Sequence, residues 1–133
     1  MGNIKKLDPE INPETVFDGR GGIFTFYPVK GPIVEWSYIV TLKGTQRGHH
    51  FHPEFDEHVM FVEGEGVYFE LHEDGTETPV SVTPGTSLYI PKGTPHTFIP
   101  MADCKMIALI TKKWNECDTP IISADEKIRN GNL

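Results

Sequence analysis

Residues 48–66 of this chain read GHHFHPEFDEHVMFVEGEG, and they contain four of its six histidines. In an extended strand the side chains alternate between two faces, so His50 and His52 project to one face while His49 points to the other. Glu57 follows beyond Pro53, which suits a turn that brings its carboxylate back toward the pair. This spacing predicts a cluster of imidazole and carboxylate groups that could hold a metal ion.

A third imidazole for the same cluster comes from the segment GTPHTF. Gly93 and Pro95 form the kind of turn that aims His96 inward. Three imidazoles and one carboxylate suit a single divalent transition metal, and iron, manganese, nickel, cobalt and zinc are the candidates. Four protein ligands leave one or two positions open on a five- or six-coordinate ion, and an open position permits catalysis.

The composition argues against several classes of partner. The formal net charge is -7 and only 12 residues are Lys or Arg, whereas nucleic-acid binding requires a concentrated basic face. No apolar run approaches the roughly 18 residues of a membrane span, and Met1–Leu7 is too short and polar for a signal peptide. We therefore expect a cytoplasmic protein without nucleic-acid or membrane partners. The cysteines, Cys104 and Cys117, form no disulfide framework and fit a reducing compartment.

The spacing of turn residues and of strand-forming segments predicts an all-β fold. The chain has 11 prolines and 13 glycines, and the segments between them are rich in β-branched and aromatic residues. Many short strands at this spacing favour a sandwich or barrel. A short helical turn is expected at Ala124–Arg129. The predicted strands are Ile23–Tyr27, Ile33–Lys43, His49–His52, Glu57–Glu63, Gly66–His72, Val80–Thr83, Ser87–Pro91, His96–Ile99 and Lys105–Lys112.

The strand at Gly66–His72 illustrates the alternation. Val67, Phe69 and Leu71 form one set and the residues between them, Tyr68, Glu70 and His72, form the other. One of the two sets therefore faces a core.

The first motif in the chain resembles the first motif of the cupin superfamily. That motif is Gly, five residues, His, one residue, His, three or four residues, Glu, six residues and Gly. It runs here from Gly44 through His50, His52 and Glu57 to Gly64, with no position missed.

The second cupin motif is also present and in the correct order. It is Gly, five residues, Pro, one residue, Gly, two residues, His, three residues and Asn. Here it runs from Gly85 through Pro91, Gly93 and His96, and the last position is Pro100 instead of Asn. That departure is not at a ligand position.

The resemblance implies a single jelly-roll (cupin) β-barrel and the metal set His50, His52, Glu57 and His96. We place one domain over residues 1–133, with a barrel core at about 23–112, an N-terminal arm at 1–22 and a C-terminal tail at 113–133. Small cupins commonly pair through edge strands, so a homodimer is expected.

Residues near the predicted metal site indicate a small polar substrate. Arg47 could clamp a carboxylate or phosphate. Trp36 and Tyr38 are expected at the barrel mouth, and Tyr89 could orient a bound molecule.

The sequence is compatible with three functions. The first is metal-dependent isomerase or epimerase chemistry on a sugar or sugar derivative. Residues 17–21 (FDGRG), together with Arg47 and Gly48, are similar to cupin-type sugar-nucleotide epimerases and ketoisomerases, although those relatives generally lack a full metal set. The alternatives are an Fe(II)-dependent dioxygenase and a non-catalytic module that binds a sugar or small acid. We favour an enzyme, although the sequence identifies no catalytic base.

Overall fold

The computed structural model describes residues 2–9 and 17–131, and for residues 17, 18 and 128–131 it describes the backbone alone. A 3-10 turn at Trp114–Glu116 and a helix, α1 (Ala124–Gly131), lie near the C-terminus. The strands of the described residues are β1 (Lys5–Leu7), β2 (Phe17–Asp18), β3 (Gly21–Gly22), β4 (Glu35–Thr41), β5 (Arg47–Phe51), β6 (Glu57–Glu63), β7 (Gly66–Leu71), β8 (Glu77–Val82), β9 (Ser87–Ile90), β10 (His96–Pro100), β11 (Cys104–Ile110) and β12 (Ile122–Ser123).

The strands form two antiparallel sheets of five strands each, and β2 and β3 form a separate hairpin. The first sheet has the order β1-β9-β6-β11-β4 and the second has the order β12-β5-β10-β7-β8. Neighbours in each sheet are mostly distant in the chain, as crossing connections of a jelly roll require. The prediction of an all-β jelly roll is therefore confirmed.

The N-terminal part of the chain differs from the strand prediction. Lys5–Leu7, which we placed in an arm outside the barrel core, pairs with Ser87–Tyr89 at the edge of the first sheet. Ile23–Tyr27 was predicted as a strand, but only Thr25 has a bridge partner. This segment lies across the outer face of the first sheet, where the amide of Val29 donates to His58 Nε2 at 2.9 Å. A segment that crosses the face of a sheet, instead of lying along its edge strand, cannot form the backbone hydrogen bonds of a further strand.

Glu70 of β7 anchors the N-terminal segment. Its side chain is buried, and Oε1 accepts the backbone N–H groups of Asn3 at 2.6 Å and Ile4 at 2.8 Å. A buried carboxylate requires such partners because its desolvation is otherwise costly. On β7, Tyr68 and Glu70 are therefore more deeply buried than Val67 and Phe69. This is so although Val67 and Phe69 are the more apolar pair.

The core lies between the two sheets and forms the floor of a cavity. Phe61, Tyr68 and Phe98 pack with ring centroids 4.9–5.9 Å apart. Tyr68, Phe98 and Met106 belong to this cluster and also line the cavity above it. The buried cluster comprises Ile4, Val59, Phe61, Tyr68, Val82, Leu88, Ile90, Phe98, Cys104 and Met106.

A β-bulge interrupts β5 where the histidines begin. Thr97 of β10 pairs with Gly48 and His96 pairs with His50, so His49 is the extra residue without a partner in the ladder. Gly48 has φ 98° and His49 has φ 61°, both in the left-handed region that bulges use. The bulge turns His49 away from the cavity, where its Nε2 lies 2.7 Å from Asp125 Oδ1.

We expect Gly48→Ala to lower the free energy of unfolding by at least about 3 kcal/mol. The new Cβ would lie 2.8 Å from the carbonyl oxygen of His96 and 3.0 Å from Thr97 Cα, in addition to the strain at positive φ. Gly44→Ala is the matched control, because Gly44 has φ 86° but open space around it. There we expect only the backbone term of about 1–2 kcal/mol. Equal losses in urea unfolding would show that the close approach of β5 and β10 is not what requires Gly48.

Both cysteines are free thiols, in accord with the sequence-based prediction of no disulfide. Within the described ranges, no helix is both long enough and apolar enough to cross a membrane.

Candidate functional site

A cavity of about 400 Å³ opens above the core, and strands of both sheets form its walls. This volume lies in the range of about 300–1,000 Å³ that is typical of small-molecule sites. The cavity is lined by Ile39, Gln46, Arg47, Gly48, His50, His52, Glu57, Tyr68, His96, Phe98, Met106 and Trp114. It therefore contains all four residues of the predicted metal set.

Three imidazoles converge in this cavity. One ring nitrogen from each of His50, His52 and His96 lies within 4.8 Å of the other two. His50 and His96 meet because they are register partners on neighbouring strands, and His52 joins them because it is two residues further along the chain. The ring centroids are 4.6, 4.9 and 5.5 Å apart. All three histidines of this group belong to the two sequence motifs.

Backbone carbonyl groups orient two of the three rings. His52 Nδ1 lies 2.9 Å from the carbonyl oxygen of Pro120, and His96 Nδ1 lies 2.8 Å from that of Thr94. A carbonyl oxygen only accepts hydrogen bonds, so each Nδ1 carries the proton and donates it. The Nε2 atoms of both rings then carry a lone pair, which is the form that binds a metal.

Burial keeps the three imidazoles neutral. Desolvation, followed by the neighbouring His52 and His49, lowers the pKa of His50 to about 4. Desolvation also lowers the pKa of His52 and that of His96, to about 3. Charged forms of buried imidazoles are disfavoured because they lose hydration. At neutral pH all three rings are therefore available as uncharged ligands or proton acceptors.

Glu57 stands in the same cavity, at the start of β6. Burial raises the pKa of its carboxyl group to about 7. Among the described residues, none forms a hydrogen bond or ion pair with this carboxyl group. Its oxygens do not join the group of three imidazoles that lie within 4.8 Å of one another. Its role as the fourth metal ligand stays a prediction.

The chemistry of these side chains fits a divalent metal ion. Three neutral imidazoles supply lone pairs without charge, and the unpaired carboxyl group nearby would be ionised by a dication. Cation binding would remove the desolvation cost that now holds the Glu57 carboxyl protonated up to about pH 7.

Arg47 reaches the rim of the cavity in a defined orientation. Its Nε donates to Thr41 Oγ1 at 2.7 Å and one Nη donates to the carbonyl oxygen of Val40 at 2.8 Å. These bonds fix the guanidinium plane and leave further N–H groups for an anion.

The other three predicted substrate-binding residues do not line this cavity. On β4, Ile39 points into the cavity, so alternation places Trp36 and Tyr38 on the outer surface, where they are 74% and 62% exposed. Tyr89 is buried outside the cavity, where its ring contacts His58 and its hydroxyl donates to Asp56 Oδ1 at 3.0 Å. We expected Trp36 and Tyr38 at the barrel mouth, and the structure places them elsewhere. A substrate-binding role for these three side chains stays a prediction.

Sequence reasoning missed three polar or aromatic residues of the cavity. Tyr68 is buried and contributes its ring beside His96, at a centroid distance of 6.0 Å. Trp114 comes from the C-terminal tail and packs edge-on against His52 at 6.0 Å. Gln46 donates to Thr97 Oγ1 at 2.9 Å. Strand alternation offered a signal for Tyr68, but no local pattern connects Trp114 with the histidines.

A family model described as "Cupin domain" matches residues 38–110, more than half of the 133 residues of the chain. No curated protein is matched by sequence similarity.

Several solved structures share the fold over most of the chain. A 3,4-ketoisomerase from Helicobacter canadensis is 20% identical, with 100% of both chains covered and a TM-score of 0.79. A sugar 3,4-ketoisomerase from Thermoanaerobacterium thermosaccharolyticum, in complex with TDP, is 19% identical over 98% of this chain and 95% of that one, with a TM-score of 0.76. A dTDP-6-deoxy-D-glucose-3,5-epimerase from Legionella pneumophila is 18% identical over 91% and 77%, with a TM-score of 0.66. At these identities the likeness concerns the fold alone.

Proposed function

The chain belongs to the cupin family, and from this premise we propose that it is a metal-dependent isomerase or epimerase that acts on a nucleotide-linked keto sugar. The observation that carries the proposal is the juxtaposition, in one cavity, of three neutral imidazoles and a carboxyl group that has no hydrogen-bond or ion-pair partner among the described residues. Isomerases and epimerases of keto sugars move a proton at a carbon next to the carbonyl group, which requires a base and a means of stabilising the enediolate oxygen.

Glu57 is the base in this proposal. Its carboxyl group lines the cavity, and a bound dication would keep it ionised at neutral pH, so it can accept a proton from the sugar. His50 and His96 are less suitable as bases, because burial lowers their pKa values to about 4 and 3 and the metal would occupy their ring lone pairs. The family resemblance implies a ligand role for Glu57 instead, and the two roles predict different effects of Glu57→Gln on metal affinity.

Tyr68 is the hydrogen-bond donor in this proposal. Its hydroxyl forms no hydrogen bond within the described part of the chain, and its residue lines the cavity next to His96. Burial, and then the nearby Glu57, raise the pKa of Tyr68 well above its ordinary value. The hydroxyl therefore keeps its proton at neutral pH and can donate to a developing enediolate oxygen.

The metal would be held by His50, His52 and His96, and the carbonyl groups of Pro120 and Thr94 direct the lone pairs of His52 and His96. A bound divalent ion supplies Lewis-acid polarisation of the sugar carbonyl group. The side chains of the protein hold the sugar in the cavity and exclude water around it.

The nucleotide part of the substrate is proposed to lie at the rim. Four of the solved structures with the same fold are described as complexes with TDP or a TDP-linked keto sugar. In the present chain, Arg47 offers a fixed guanidinium group for a phosphate, and Trp114, which is 43% exposed, offers a ring face for stacking.

The proposal is tested by proton exchange in deuterated water. TDP-4-keto-6-deoxyglucose is incubated with protein loaded with Co(II), Mn(II), Zn(II) or Fe(II), and proton spectra are recorded over time. We expect loss of the proton signal next to the carbonyl group and the appearance of an isomeric keto sugar or epimer. A control with chelator present should lose the activity if the metal is required. Binding of this sugar in a thermal-shift assay without any exchange would favour a non-catalytic binding module instead.

A second candidate function is an Fe(II)-dependent dioxygenase. The observation in its favour is the mixed set of imidazoles and a carboxyl group in a cavity with room for a further molecule. Oxygen uptake by anaerobically iron-loaded protein with thiol, diketone or phenolic substrates tests it. Absence of uptake with all of them, with iron bound, would exclude this function for those substrate classes.

A homodimer and a cytoplasmic location also remain part of the proposal. The outer surface of β4 supports the first, because Trp36 and Tyr38 are exposed there and a partner subunit would cover them.

A further inference from the structure

The C-terminal segment from Asp118 to Lys127, here called the strap, runs along the strand that carries the histidines. Ile122 and Ser123 of β12 pair with Phe51 and His50, so the strap covers an edge of β5 that would otherwise be open. Ala124, the first residue of α1, is completely buried. The strap is thus part of the sheet that forms the cavity.

The strap supplies the acceptor that determines the tautomer of His52. The carbonyl oxygen of Pro120 lies 2.9 Å from His52 Nδ1, whereas the equivalent acceptor for His96 is Thr94, only two residues before it. His96 is therefore oriented by its own loop. His52 depends on a residue 68 positions away, so its orientation requires the strap to be docked.

Polar contacts hold the strap in place on both sides of Pro120. Before it, the Thr119 amide donates to the Glu54 carboxylate, which Lys112 also contacts at 2.8 Å. After it, Asp125 lies 2.7 Å from His49, the bulge residue of β5. These contacts attach the strap to the chain on either side of His52.

Lys127 connects the strap to the loop before His96. Its Nζ donates to the carbonyl oxygen of Gly93 and lies 5.2 Å from the centre of the Phe51 ring. The amide of Gly93 in turn donates to the carbonyl oxygen of His52 at 2.8 Å. One side chain of the strap therefore bridges the two segments that carry His52 and His96.

We propose that the strap is a positioning element that sets the Nδ1-protonated tautomer of His52 through Pro120, and that Asp125 and Lys127 hold it there. Second-layer partners of metal-binding histidines commonly affect metal affinity by about 10–100-fold. The inference that the strap raises metal affinity rests on the proposed metal site. The tautomer of His52 does not, because it is defined in the metal-free protein.

The test is a double variant, Asp125→Asn with Lys127→Met, which keeps the size of both side chains. In the metal-free protein, ring nitrogen-15 spectra are expected to change from the single Nδ1-protonated form of His52 to a mixture of tautomers. Co(II) affinity is expected to fall about tenfold. Glu126→Gln is the matched control, because Glu126 is an exposed acidic residue on the same helix, and both readouts should stay at their wild-type values.

A second variant removes the acceptor itself, by ending the chain at Thr119. The inference is overturned if His52 keeps a single Nδ1-protonated tautomer in the chain that ends at Thr119. It is also overturned if His52 keeps that tautomer in the double variant although the contacts between α1 and β5 are lost. If wild-type protein binds no Co(II) but the tautomer changes as expected, the metal assignment fails and the positioning role stands.

Discussion

Replacement of Glu57 by glutamine is expected to lower turnover of the proposed keto-sugar substrate about 10³-fold, because the amide keeps the shape of the carboxyl group but cannot accept a proton. Co(II) affinity should stay close to the wild-type value, since the three imidazoles hold the ion in this proposal. The measurement is exchange in deuterated water beside a Co(II) titration. A loss of Co(II) affinity that accounts for the loss of turnover would show that Glu57 is the fourth ligand, as the family resemblance implies.

The same substitution should stabilise the metal-free protein at alkaline pH. Burial raises the pKa of Glu57 from 4.5 to about 7, so the folded state binds more protons than the unfolded state between these values. Stability of the wild type therefore falls as the pH rises from about 4.5 to 7. Because the side chain keeps some contact with solvent in the cavity, we expect a gain for Glu57→Gln of about 2 kcal/mol above pH 8.

Urea unfolding at several pH values measures this gain. Below about pH 4.5 the gain should vanish, because the carboxyl group is then protonated in both states. Glu77→Gln on β8 is the control, since Glu77 is exposed to solvent and the substitution should leave stability nearly unchanged at every pH. A gain that does not depend on pH would mean that desolvation of the Glu57 charge is not its origin.

Replacement of His50 by alanine is expected to weaken Co(II) binding on the order of 10³-fold, equivalent to about 4 kcal/mol. His50 offers one of the three converging ring nitrogens. It is also the least buried of the three, so its loss should disturb the fold less than the loss of His52 or His96. The affinity is measured by titration, with circular dichroism as the check on folding.

His72→Ala is the control for this variant. His72 lies at the end of β7 and contacts Thr78 Oγ1 at 2.7 Å, and it does not line the cavity. Its replacement should leave Co(II) affinity unchanged. If His50→Ala also leaves it unchanged, the ion binds elsewhere and the metal-dependent proposals fail together.

The two motifs were enough to predict the group of three histidines, because the position of each histidine depends on residues near it in the chain. A strand with period two places His50 and His52 on one face, and a turn before His96 starts the next cavity strand. The register of β5 and β10 then brings His96 beside His50. The bulge at Gly48 and His49 keeps His49 out of the cavity. It leaves His50 and His52 on the face of β5 that lines the cavity.

The faces of individual strands were harder to predict. On β7 the apolar set Val67 and Phe69 is the less buried one, because Tyr68 lines the cavity and Glu70 binds the N-terminal amides. On β4 the same ambiguity led us to expect Trp36 and Tyr38 at the cavity mouth. Alternation identifies two faces but does not say which one is inside, and that depends on what packs against each.

The amino-acid sequence by itself determined the all-β character, the turns and the three histidines, since each follows from contacts between residues close in the chain or from a family motif. Only the tertiary structure decided that Trp114 enters the cavity, that Pro120 orients His52 and that the Glu57 carboxyl group has no partner among the residues that the structure describes. These features depend on which distant segments the sheet order brings together. Such long-range packing leaves no periodic trace in the sequence, because a single carbonyl group or ring suffices to make the contact.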